Sequence, residues 1–166
     1  MTVLGKGDAQ IRDSIKLRQT RLFVAKEQGY LVPQKSVFNR IIGDSRLELE
    51  FAGFLENCDD IVSYAKNYYA DSFKLDYVNA DGDISNYFPD FLVKKSATEL
   101  FIVETKGLED LDVSRQMMRL KEWCADINKI QSTVRYDFIF VDEEGFKKYQ
   151  PKTFQALTAS FREYKG

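Results

Sequence analysis

The stretch YFPDFLVKKSATELFIVETKG, residues 87–107, constrains the fold more than any other part of the chain. Residues 88–93 and 100–105 are apolar and β-prone, and a polar spacer separates them, which predicts an antiparallel hairpin. A turn centred on Ala97 sets Asp90 opposite Glu104. Directly opposed side chains share a face, with Cβ atoms about 4.5–5.5 Å apart. Two carboxylates so placed repel each other, and a divalent cation is the natural compensation. Lys106 lies two residues beyond Glu104 and so points to the same face. Pro89 suits the beginning of a strand, where its missing N–H matters least. A one-residue slip would move Asp90 to the other face. Spacing leaves two readings open: a cation site, or a solvated strand end where a lysine neutralises two acids.

The remaining segments read as an α/β domain. Residues 8–28 carry Ile11, Ile15 and Leu22 at helical spacing. Lys16, Arg18, Arg21 and Lys26 surround them, as a solvated face or as phosphate contacts. Residues 29–43 read as loop with short structure. Ser45, with Glu48 three positions on, has capping-box spacing, and Leu47, Phe51, Phe54, Leu55 and Cys58 form an apolar stripe. Asp59 and Asp60 predict a second short helix over residues 61–66. Residues 73–88 read as a strand, a turn at Asp81-Gly82-Asp83, and a strand beginning near Tyr87. Asp110 or Asp112 caps the next helix, whose core face is Val113, Met117, Leu120, Cys124 and Ile127. Residues 136–142 form a continuous apolar run, which predicts a buried strand. A last helix follows Pro151, with Phe154, Leu157 and Phe161 on one side. The order predicts a mixed sheet packed between helices.

The chain has 166 residues, within the range of one domain. It contains no histidine, which removes Ser-His-Asp and Cys-His catalysis and His-ligated zinc. Hydrolysis would have to use carboxylates, lysine, tyrosine and a metal ion. The net charge of −2 counts against a free-standing DNA binder, although a local basic patch is compatible with it. Cys58 and Cys124 lack metal-type spacing and read as buried thiols in a reducing compartment. No apolar run is long enough for a membrane span, and the opening residues lack a signal-peptide pattern. The expected location is the cytoplasm, away from membranes.

Pro89-Asp90, a spacer, then Glu104-Thr105-Lys106 resembles the pattern of the PD-(D/E)xK nuclease superfamily. Ser45-Arg46-Leu47-Glu48 with Phe51 looks like that family's upstream acidic helix. YFPDFLV, FIVETKG and the later EWCADIN look like the C-terminal endonuclease domain of type III restriction enzyme Res subunits and related helicase-nuclease proteins. The resemblance covers about residues 45–141. It implies a restriction-endonuclease-like core, a mixed central sheet of four or more strands flanked by helices. It implies a Mg²⁺-dependent endodeoxyribonuclease, with Mn²⁺ able to substitute, leaving 5′-phosphate and 3′-hydroxyl ends.

In that family Asp90 and Glu104 would bind Mg²⁺, and the Thr105 carbonyl would add a ligand. Lys106 would position or polarise the attacking water. Glu48 would complete the catalytic set, with Glu50 as the alternate, and Gln116 would be an accessory or a plain surface residue. Trp123 and Cys124 fit the pattern as core packing. The resemblance also implies duplex DNA as substrate, a helicase or translocase domain in the parent protein, and a methyltransferase modification subunit. Gly5-Lys6-Gly7 is not a phosphate-binding loop, so no motor is encoded here. The expected organisation is one endonuclease domain excised from a larger protein, rather than a small relative that stands alone. It has a helical extension (1–44), a nuclease core (45–141) and a C-terminal helix (142–166). The alternative is a nuclease-fold module that binds DNA or protein without cutting.

Overall fold

The computed structural model describes residues 10–11, 30–36, 41–68, 73–107 and 110–165. The helix expected over 8–28 lies almost wholly outside them. Two short strands, β1 (Tyr30–Leu31) and β2 (Ile41–Ile42), pair antiparallel ahead of helix α1 (Arg46–Asn57). The Ser45 side chain accepts from Glu48 N at 3.2 Å, the expected N-cap bond. The reciprocal half of the box is shifted by one residue, because Glu48 Oε2 accepts from Asp44 N.

Residues 61–66 overturn the predicted second helix. They lead into strand β3 (Ser63–Lys66). Ile61, Tyr64 and Ala65 mimic helical spacing, yet the strand is buried on both faces and so lacks a two-residue alternation. Asp60 caps nothing local. Its carboxylate accepts from Phe154 N (2.9 Å) and Gln155 N (2.8 Å), at the start of helix α4 (Phe154–Ser160).

Strands β4 (Leu75–Val78) and β5 (Ile84–Tyr87) form a separate antiparallel hairpin. Gly82, at φ 91°, makes its turn, and Asn79 Oδ1 accepts from Asp81 N and Asp83 N. The strand expected to begin near Tyr87 is therefore two strands. β5 ends at Tyr87, and β6 (Phe91–Lys94) starts after a break at 88–90.

β6 pairs antiparallel with β7 (Glu99–Lys106) in the predicted register, Phe91 against Val103 and Lys94 against Leu100. β7 then pairs in parallel with β8 (Arg135–Asp142), which gives a mixed sheet of order β3-β6-β7-β8. Helix α2 (Val113–Ile130) is the crossover between β7 and β8. After β8 come two helices, α3 (Glu143–Tyr149) and α4, in place of one.

The sheet separates two apolar cores. Phe91, Val93, Phe101, Val103, Ile139 and Val141 pack under α1 and α4, where Phe51 and Leu55 are fully buried. Ile102, Phe138 and Phe140 pack on the other face with Val113, Met117 and Leu120 of α2, and with Leu75 and Tyr77 of β4. Both faces are covered, which explains the near-continuous apolar runs of β7 and β8. The fold is a mixed α/β domain with a four-stranded sheet flanked by helices.

Candidate active site

Asp90 and Glu104 lie at one end of the sheet, where β3 stops, β6 begins and β7 ends. The break between β5 and β6 puts Asp90 just outside the ladder. Its own N–H donates to Val103 O at 3.1 Å, one position short of Glu104, so the two acids are not ladder partners. The Asp90 carboxylate replaces the missing strand continuation. Its Oδ2 accepts from Thr105 N (2.8 Å) and Thr105 Oγ1 (2.6 Å). Asn67 fixes the backbone beneath it: Asn67 N donates to Asp90 O (2.7 Å), and Nδ2 donates to Pro89 O and Phe73 O (both 2.8 Å).

Glu104 follows Ile102 on the α2 face and is 6% exposed. Tyr87, also buried, donates its hydroxyl to Glu104 Oε2 at 3.0 Å. Burial, and next the Asp90 charge, hold the Glu104 carboxyl well above the usual carboxylate range, despite that hydrogen bond. Lys106 projects at the more open margin. Its Nζ lies 3.4 Å from Asp110 Oδ2, whose Oδ1 caps α2 through Asp112 N and Val113 N. Asp110 thus takes the capping bonds, while Asp112, at the N-cap position, accepts from Ala80 N and Tyr77 Oη.

Glu48 enters from α1, on the opposite face of the sheet, and does not reach Glu104. Its Oε2 lies 3.0 Å from Lys66 Nζ. That ammonium is also 3.6 Å from Asp90 Oδ1 and 3.8 Å from Asp44 Oδ2. Burial pulls the Lys66 ammonium down, but Asp90, Glu48 and Asp44 outweigh it, so the lysine stays charged. Burial also raises Glu48, with Lys66 opposing. Glu50 turns away and pairs with Arg46 at 2.7 Å. Gln116 donates to Tyr77 Oη at 3.1 Å. Lys66, Tyr87 and Asn67 were not anticipated from the sequence. Tyr87 sits inside the motif stretch and was legible there; Lys66 was hidden by the helical reading of residues 61–66.

The donors at Asp90 and Glu104 are hard carboxylate oxygens, and their mutual repulsion in a buried setting suits a hard divalent ion. Among the described residues no group of three or more acidic, cysteine or histidine side chains lies close enough to hold an ion. Glu48 is set apart by Lys66.

A family model described as an endonuclease domain matches residues 34–143, more than half of the chain. No curated protein and no solved structure matches the chain significantly.

Proposed function

This chain belongs to that endonuclease-domain family, and from this premise we propose that it is a divalent-metal-dependent DNA endonuclease domain. The specific assignment is the cleavage domain of a type III restriction enzyme Res subunit. Its substrate is duplex DNA in the cytoplasm, with a helicase or translocase domain and a methyltransferase subunit as partners. The observation that carries the reading is the sheet-end cluster itself, with Asp90 locked by Thr105 and buried Glu104 held by Tyr87.

Asp90 and Glu104 would hold Mg²⁺ or Mn²⁺, with the Thr105 carbonyl as a further ligand. The ion, when bound, supplies a water of lowered pKa and positive charge for the scissile phosphate. Thr105 keeps Asp90 Oδ2 fixed, while Oδ1 lies 3.6 Å from Lys66 Nζ. Tyr87 orients Glu104 and favours its ionised form. Lys106 stands beside the open margin, where its ammonium orients the attacking water and offsets charge developing on the phosphate. Asp110 steadies that lysine until DNA enters. Attack of water oxygen on phosphorus breaks the P–O3′ bond and leaves a 5′-phosphate and a 3′-hydroxyl. No covalent enzyme intermediate is required, consistent with the absence of histidine.

A second reading, a nuclease-fold module that does not cut, is favoured by one observation: Lys66 already neutralises Glu48 and Asp90. The test is nicking of supercoiled DNA in Mg²⁺ or Mn²⁺ by the parent, Asp90→Ala and Lys106→Ala. Cleavage by the parent and by neither variant supports the nuclease. Equal cleavage by all three rejects this site. Absence of both cleavage and divalent-ion binding supports the second reading.

A further inference from the structure

Lys66 is a buried lysine between Asp90, expected to hold metal, and Glu48, expected to complete the catalytic set. Its side chain is 3% exposed, against 10% for Glu48 and 15% for Asp90. The ammonium spans the gap between helix α1 and the start of β6, within 3.0 Å of Glu48 Oε2 and 3.6 Å of Asp90 Oδ1. The aromatic faces of Phe91 and Tyr68 lie 5.5 Å and 5.9 Å from Nζ, so two rings join the carboxylates around the ammonium. The position is fixed by the backbone. Lys66 pairs with Phe91 in the β3–β6 ladder, and Asn67 N ties the next residue to Asp90 O. Oxygens arranged around an ammonium present the same hard donors that a divalent ion requires.

We infer that the Lys66 ammonium occupies a cation position between Glu48 and Asp90, so that Lys66 limits how many divalent ions the chain accepts. Glu48 then acts through Lys66 as a positioning residue and does not ligate metal itself. The consequence for catalysis rests on the metal-nuclease reading, with an ion on the Asp90–Glu104 side alone. The occupancy of the second position by Lys66 does not depend on it.

Removing the ammonium leaves Glu48 and Asp90 as facing, unneutralised carboxylates. A divalent ion then takes the vacated place. The experiment is Mn²⁺ titration of the full chain, counting free ion by electron paramagnetic resonance, for the parent, Lys66→Met and Lys66→Met/Glu48→Gln. Lys66→Met is expected to bind one more Mn²⁺ than the parent, and the double variant to return to the parent's count. An equal count in the parent and in Lys66→Met overturns the inference. If Lys66→Met melts too low to titrate, its thermal stability in millimolar Mn²⁺ decides. Rescue toward the parent supports the inference, and no rescue overturns it. If the parent binds no Mn²⁺ while Lys66→Met binds one, the metal-dependent function fails and the inference about Lys66 stands.

Discussion

The Tyr87 hydroxyl donates to Glu104 Oε2 across 3.0 Å, and both side chains are almost completely buried. Glu104 therefore has a neutral partner for one oxygen, in a place where burial and Asp90 oppose its charge. Removing the hydroxyl should leave the carboxyl harder to ionise. Tyr87→Phe is expected to weaken Mn²⁺ binding at pH 7 by up to about tenfold, the worth of one hydrogen bond of about 0.5–1.5 kcal/mol. Calorimetric titration checks this, and an unchanged affinity would remove Tyr87 from the site.

Glu104→Gln keeps the acceptor for Tyr87 and deletes the buried charge. In EDTA this variant should melt above the parent, by a few degrees for a gain near 1 kcal/mol. In excess Mn²⁺ the order should reverse, because only the parent gains the binding free energy of the ion. Thermal unfolding in the two buffers measures both. A variant that melts lower in EDTA would mean that the carboxylate is stabilising without a cation.

Cys58 and Cys124 are free and buried, and burial, their main perturbation, pushes each thiol up to about 12. Unfolded thiols ionise near pH 8.5–9. A folded-state pKa above the unfolded value contributes stability that is fully present below the unfolded pKa. That contribution is lost as pH rises from about 9 toward 12. Stability should therefore decline on the alkaline side of pH 9. At pH 8 the folded chain should resist iodoacetamide at both cysteines, and urea should release both. Mass spectrometry reads the labelling, and rapid alkylation of the folded chain would contradict the burial of the labelled thiol.

Asp60 caps α4 across 94 residues of chain through Phe154 N, and across 95 through Gln155 N. Asp60→Ala leaves Thr153 as the local cap and should cost about 1–2 kcal/mol. The loss should appear in urea unfolding with Mn²⁺ affinity unchanged, since Asp60 is not among the acids around Lys66. A change in metal affinity would show that α4 and the sheet end are coupled.

Several features were legible because they depend on neighbours in sequence. The Ser45 cap of α1 needs only the N–H three residues on. The β6–β7 register follows from two apolar runs around a polar spacer, and it places Val103 against Phe91 as expected. The same hairpin reading missed the end of the ladder. Asp90 leaves the pairing at the break after β5, and its carboxylate turns to Thr105. No pattern in residues 87–107 encodes that departure.

The sequence by itself determined the mixed α/β class, the hairpin register and the capped helix, and so the elements on which the candidate residues Asp90, Glu104, Lys106 and Glu48 lie. Periodicity and capping are short-range effects, set by bonds and sterics within a few residues. Only the tertiary structure decided the company those residues keep. It made residues 63–66 a strand buried on both faces and sent the Asp60 carboxylate to α4. It also placed the Lys66 ammonium between Glu48 and Asp90. Those outcomes depend on charges and faces far apart in the chain, and their free energies exist only once the sheet has been assembled between its helices.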